Sequence, residues 1–173
     1  FTFLTRIQNV YFSNSFSLFY RSLEVIPDNA LALNNIGVHL SSLGRYDEAM
    51  KYLERGIKLY PKSSSYYQNY AVCLVSKGDD YNAVMNFKKA LALDPNLYGS
   101  YLNLGLIQSR RGYTDEALRL LEKAMTLKPD NPVVRRNYAI VLSKKGRTGE
   151  AVSHFAYVVK RNPSDIEARL NLA

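Results

Sequence analysis

Residues 30–63 read ALALNNIGVHLSSLGRYDEAMKYLERGIKLYPKS, and this stretch decides the fold. Leu33, Ile36, Gly37 and Leu40 follow three-and-four spacing, the interval that puts side chains on one face of a helix. Gly44 comes next, a residue that accepts the positive φ a chain adopts just past a helix C-terminus. Asp47 and Glu48 then open a second segment with acids, favourable at the positive end of a helix dipole. That segment is expected to bury Ala49, Met50, Leu53, Ile57 and Leu59, and Pro61 bars its continuation. The stretch therefore predicts an antiparallel pair of helices turning at Gly44.

The same punctuation extends along the chain. Pro27, Pro61, Pro95, Pro129 and Pro163 are evenly spaced, and Gly44, Gly78, Gly112 and Gly146 keep the same interval, as do Ala49, Ala83, Ala117 and Ala151. A fixed period of this size signals stacked repeats. Small residues recur where helices must approach: Gly37, Ala71, Gly105 and Ala139 in the first helix, Gly56, Ala90 and Ala124 in the second. Large partners, Leu53, Phe87, Leu121 and Phe155, are expected opposite these small residues. One such pair cannot bury its apolar stripe alone, so stability must come from stacked neighbours.

A helix–turn–helix unit of about 34 residues with these positions resembles the tetratricopeptide repeat. The units are 30–63, 64–97, 98–131 and 132–165, with 166–173 opening a fifth and 1–29 forming a degenerate or capping half-repeat in which Ser15, Phe19, Ser22 and Pro27 fall in phase. The resemblance implies an all-α fold, a right-handed α-solenoid, whose first helices line a concave groove that binds peptides or proteins. It also implies a scaffold with no catalytic residue and no cofactor.

The sixth position of each unit is asparagine: Asn35, Asn69, Asn103, Asn137 and Asn171. Asparagine is a mediocre helix former, so its recurrence inside a helix asks for a reason. Its amide offers donors and an acceptor together, which suits the backbone of an extended peptide. A bond to a neighbouring helix is the other account. Such a ladder resembles the groove of the O-linked N-acetylglucosamine transferase repeats. One turn on, Val38, Val72, Leu106 and Ile140 give this groove an apolar floor or finish the helix packing. The family's chaperone-tail binders carry a carboxylate clamp of Lys or Arg at the second and sixth positions. Here the second positions are Leu31, Ser65, Gly99, Val133 and Glu167, so that clamp is absent.

The composition sets outer limits. The chain has 173 residues, 47% hydrophobic and 22% charged, a balance that buries a core and argues against disorder. A single cysteine, Cys73, excludes an internal disulfide and a multi-cysteine metal site. No run of 18 apolar residues spans a bilayer. Of the net charge of +8, residues 132–165 carry +5, seven basic residues less two acidic. Arg135, Arg136, Lys144, Lys145 and Arg147, with Arg110 and Arg111 one unit earlier, are expected to form one basic patch, suited to an acidic or phosphorylated peptide, a lipid headgroup or a nucleic-acid backbone. A solvated face explains the same residues, and no RNA-module motif accompanies them. The unit also departs from the family at Arg135, Val158 and Arg161, which predicts looser packing there or packing against something missing from the fragment.

Fourteen tyrosines mostly occupy ordinary packing positions; Tyr66 and Tyr98 are the two that the repeat does not place, and they are expected to flank the groove. His39 and His154 fall at different places in their repeats with no nucleophile or carboxylate pair recurring beside them, and Asp79-Asp80 marks a helix entry. The segment 1–29 resembles, over Asn9, Phe12, Leu18 and Phe19, with Gln8 in place of the usual arginine and Phe12 in place of the usual tryptophan, the junction between the last membrane helix and the repeats of transmembrane tetratricopeptide O-mannosyltransferase-like proteins. That resemblance implies the repeat tail of a membrane-bound glycosyltransferase, either tethered to a membrane or, on the scaffold reading, cytoplasmic. A start on Phe and an end within a repeat are expected of a fragment.

Overall fold

A computed structural model describes residues 17–172. The proposed junction residues Gln8, Asn9 and Phe12, and Ser15 with them, lie outside the described residues. All regular structure among the described residues is helical. Residues 17–25 form α1, followed by α2 (Ala30–Ser42), α3 (Tyr46–Leu59), α4 (Ser64–Ser76), α5 (Asp80–Leu93), α6 (Tyr98–Arg110), α7 (Thr114–Leu127), α8 (Pro132–Lys144), α9 (Thr148–Arg161) and the short α10 (Ile166–Leu170). The chain divides into two compact units at Leu93 and Asp94.

Each helix pair turns by one device. Gly44, Gly78, Gly112 and Gly146 adopt φ of 75°, 82°, 83° and 80°. The residue after each glycine donates its N–H to the carbonyl five residues back: Arg45 to Leu40, Asp79 to Leu74, Tyr113 to Gln108 and Arg147 to Leu142, all at 2.9–3.0 Å. Each glycine N–H reaches three residues back, to Ser41, Val75, Ser109 and Ser143. Both bonds together satisfy helix-end carbonyls that otherwise lack partners, and only an αL residue allows them. Entries are capped less uniformly. Asn29, Asp79, Asn131 and Asp165 accept N–H bonds through their side chains, while α3 and α9 open on arginines that pair with an acid three residues on, Arg45 with Glu48 and Arg147 with Glu150.

In the first unit, α2 packs on α3, α4 on α5, and α3 on α4. Leu33, Ile36, Gly37 and Leu40 are buried as their spacing requires. On α3, Ala49 and Leu53 are buried and Met50 and Ile57 half-buried, but Leu59 is exposed. Two residues past Ile57 is roughly 200° around a helix, so Leu59 leaves the apolar stripe. Phe19 and Leu23 of α1 close one side of this core. A Cβ at Gly37 would stand 2.6 Å from Leu53 Cγ, the close approach that the small and large positions predict.

The second unit repeats the scheme: α6 on α7, α8 on α9, with α7 against α8 and α9 against α10. A Cβ at Gly105 would stand 2.8 Å from Leu121 Cγ. The looser packing expected of residues 132–165 is not found: Val134, Ala139, Phe155 and Val158 are all buried to within 1%. Val158 fits because the place that Tyr66 takes against Gly56 is taken here by Ala168, three repeats on in each case, so a larger residue on one helix meets a smaller one on the next. Arg135 folds its guanidinium onto the Tyr157 ring at 3.8 Å and donates to the Pro129 carbonyl at 2.7 Å, so its charge rests on an aromatic face and a backbone oxygen.

Candidate functional site

The recurring asparagines stand on the first helices, α2, α4, α6, α8 and at the end of α10. Asn35, Asn69, Asn103 and Asn137 are half-buried and Asn171 is exposed. In the second unit three of them repeat one geometry. Asn103 Nδ2 donates to the Gly99 carbonyl, Asn137 Nδ2 to Val133 and Asn171 Nδ2 to Glu167, each four residues back and each at 2.8 Å. That bond fixes the amide against its own helix, and an amide carries a second N–H and a carbonyl besides. In the first unit Asn69 Nδ2 instead donates to Asn34 Oδ1 at 2.9 Å, tying α4 to α2. Asn34 was not among the expected site residues. It is a single-repeat feature, followed at its position by Gln68, Leu102 and Arg136, so no period marks it.

The apolar positions one turn on are accessible in part. Val38 is 43% exposed, while Val72, Leu106 and Ile140 are half-buried, Ile140 against the core of the second unit. Tyr66 is not at a groove edge. It is buried, stacks on Tyr60 with ring centroids 6.2 Å apart and donates its hydroxyl to the Ala30 carbonyl at 2.5 Å. Its ring occupies the space that a Cβ on Gly56 would fill, and burial pushes its phenol up to about 12. Tyr98 is half-buried with the Lys128 ammonium 6.0 Å from its ring centre.

The basic residues do not form the single patch expected of them; those of residues 132–165 fall into two sets at opposite ends of α8. Arg135 and Arg136 lie in its opening turns, with Arg136 between Asp165 at 2.9 Å and Glu167 at 3.1 Å. Lys144, Lys145 and Arg147 lie at and past its last turn, about 13 Å away at about 1.5 Å per residue. There Lys145 pairs with Asp115, Arg147 with Glu150 and Lys144 with the Ser109 hydroxyl at 3.2 Å. Arg110 and Arg111 end α6, both exposed. Arg135, Arg136, Lys145 and Arg147 thus each have a carboxylate or an aromatic ring of this chain as a partner.

His154 is half-buried, with its ring edge-on to Tyr138 at 5.1 Å, and burial, then Arg135, holds its imidazole below the usual range. Cys73 is buried, which raises its thiol. Among the described residues no three His, Cys, Asp or Glu side chains are grouped to hold a metal, and no helix is long and apolar enough to cross a membrane.

Models of the tetratricopeptide repeat match residues 30–63, 64–97 and 109–169. Among solved structures, a thermophilic tetratricopeptide-repeat protein of Thermus thermophilus is similar over 98% of this chain and 92% of its own, with a TM-score of 0.78 at 22% identity. YrrB, a tetratricopeptide-repeat protein with an unusual peptide-binding site, is similar over 89% of this chain and 79% of its own, with a TM-score of 0.72 at 23% identity. MamA is similar over 92% and 93%, with a TM-score of 0.72 at 21% identity. A comparison with curated proteins finds no match. Those structures share the all-α solenoid fold of this chain, and the repeat models fall on helices paired as that repeat requires: the chain belongs to the tetratricopeptide-repeat family.

Proposed function

We propose that the chain is a non-enzymatic protein-interaction scaffold that holds an extended peptide against its first helices, with the asparagines as ligands of the peptide backbone. Membership of the family supports the scaffold role, and likeness in fold to a protein with a peptide-binding site supports the class of ligand. The observation that carries the finer reading is the single geometry shared by Asn103, Asn137 and Asn171. Three amides one repeat apart, each held by its own helix, are oriented before a ligand arrives, so binding loses little side-chain entropy. The apolar side chains at Leu106 and Ile140, one turn on, supply a surface for the side chains of the same peptide.

The double substitution Asn103→Ala with Asn137→Ala separates this from a structural role. Each change removes one bond to the helix, worth about 0.5–1.5 kcal/mol net, and recovers several tenths of that because alanine is the better helix former. The midpoint of thermal unfolding is therefore expected to stay nearly fixed. Peptide affinity, measured by calorimetry on a sequence selected against the wild-type chain, is expected to fall at least tenfold, roughly 1.4 kcal/mol. Unchanged affinity, or a large loss of thermal stability, would make the asparagines structural.

A further inference from the structure

The first helices of the first unit carry no formal charge. Neither α2 nor α4 contains Asp, Glu, Lys or Arg in its 13 residues. The second helices beside them are different: α3 alone holds Asp47, Glu48, Lys51, Glu54, Arg55 and Lys58. In place of charge, α2 and α4 repeat one row: Asn35, Val38 and Ser42 on one helix, Asn69, Val72 and Ser76 on the next. Positions i, i+3 and i+7 share a helix face, so each row is a stripe of amide, branched alkyl and hydroxyl. All six side chains are exposed or half-buried, and α2 and α4 touch directly.

Charged side chains at the rim have partners within the chain, although Asp79 keeps its charge. Lys77, just past α4, pairs with Asp47; Arg45, just past α2, pairs with Glu48 at 2.6 Å; Asp79 accepts from Asn82. His39, the one imidazole on α2, is held below its usual range by burial and by Arg45, so it is neutral at neutral pH. In the second unit the last place of the row becomes Arg110 and Lys144. Absence of charge therefore belongs to the first unit and not to the repeat.

We propose that the paired rows of α2 and α4 form a charge-excluding subsite, whose occupant is a stretch of extended polypeptide with no charged side chain. This rests on the reading of the first helices as a peptide-binding surface and specifies what one part of it takes. A carboxylate or ammonium laid on these rows loses water and meets only amides, hydroxyls and valine methyls, with no opposite charge to replace it. Peptide groups and small polar or aliphatic side chains lose nothing comparable. Packed helices lie about 8–10 Å apart and an extended chain rises about 3.3 Å per residue, so the two rows meet residues about three apart. The uncharged stretch is thus about four residues long.

The test is selection from a random dodecapeptide display library on the whole chain and on its Val38→Glu variant. Val38 is 43% exposed, so the substitution leaves the core in place, which circular dichroism checks. Peptides recovered on the wild-type chain are expected to be depleted at least fivefold in Asp, Glu, Lys and Arg over a run of about four positions. Affinity through that run should not change with salt. On the variant, Lys and Arg should return within the run. Charged residues at their input frequency in otherwise enriched peptides would overturn charge exclusion and leave the peptide-binding reading standing. Recovery of the same peptides on both proteins would overturn the location. No enrichment on either would overturn both readings.

Discussion

Gly56 and Tyr66 fit one another by trading volume. The ring of Tyr66 lies where any side chain at Gly56 would project, and its hydroxyl reaches the Ala30 carbonyl, so neither ring plane nor hydroxyl can shift freely. Gly56→Ala gains helix propensity but drives a methyl into a rigid ring, and overpacking of this kind costs about 1–3 kcal/mol. The second unit places Ala124 and Val134 at the corresponding positions, two repeats on, so Gly56→Ala with Tyr66→Val recreates a pair the chain already uses. In the Tyr66→Val background, Gly56→Ala is therefore expected to be neutral or stabilising, and urea unfolding of the four proteins checks the cycle. His154 makes a second case at this scale. Its folded imidazole lies below the ordinary value of 6.5, so from about pH 6.5 down to the folded value the unfolded chain binds more protons and stability falls with pH. Above about pH 6.5 the contribution is flat. His154→Gln is expected to reduce the loss in thermal midpoint between about pH 7 and pH 5, leaving the part that His39 contributes by the same sign. An unaltered loss in the variant would remove His154 from the account.

Elements are tied to the adjacent repeat by bonds of unequal weight. Lys77 with Asp47 and Lys145 with Asp115 are one interaction recurring two repeats along, and both are exposed, so each contributes little. The bond that fixes α10 is of another kind. Asp165 is 8% exposed, caps the helix through the Ala168 N–H at 3.0 Å and accepts from Arg136 at 2.9 Å. Asp165→Ala removes a cap and leaves the Arg136 guanidinium with Glu167 alone, an expected loss of about 1–3 kcal/mol. Asp165→Asn keeps the capping oxygen without the charge and should fall between. Amide exchange locates the effect: protection should drop at Ala168 and Arg169 first and along α8 and α9 next. Loss confined to α2–α5 would contradict it.

At the scale of the whole molecule, what the sequence reveals divides by period. Helix pairing, the turn glycines and the Gly37 with Leu53 contact recur or sit within one repeat, so spacing alone exposes them. Tyr66 escaped because its pocket is made by Gly56 of the preceding repeat, and a tyrosine at that position occurs once. Arg135 escaped likewise: as a charge it belonged to a surface patch, but Tyr157, present in one repeat only, gives it a ring to lie on. The asparagines were legible as a ladder, while their bonds four residues back were not, since the same amide could equally have reached a neighbouring helix, as Asn69 does. Bonds between repeats stay short in sequence, the Tyr66 to Ala30 bond reaching 36 residues, which favours fast folding and local failure.

The four turn glycines share a handedness as well as a position. At φ of 75–83° with nothing within 4 Å of where a Cβ would stand, an ordinary alanine is strained by its configuration and not by its surroundings. The mirror-image residue reverses that preference. D-alanine at Gly44, Gly78, Gly112 and Gly146, introduced by chemical ligation, is expected to keep every turn bond and to restrict the unfolded chain. Each site should gain about 0.4–1 kcal/mol, against a loss for L-alanine, and thermal unfolding of the two synthetic chains reads the difference. The stack would then be an otherwise all-L protein made more stable by four residues that ribosomal synthesis does not supply.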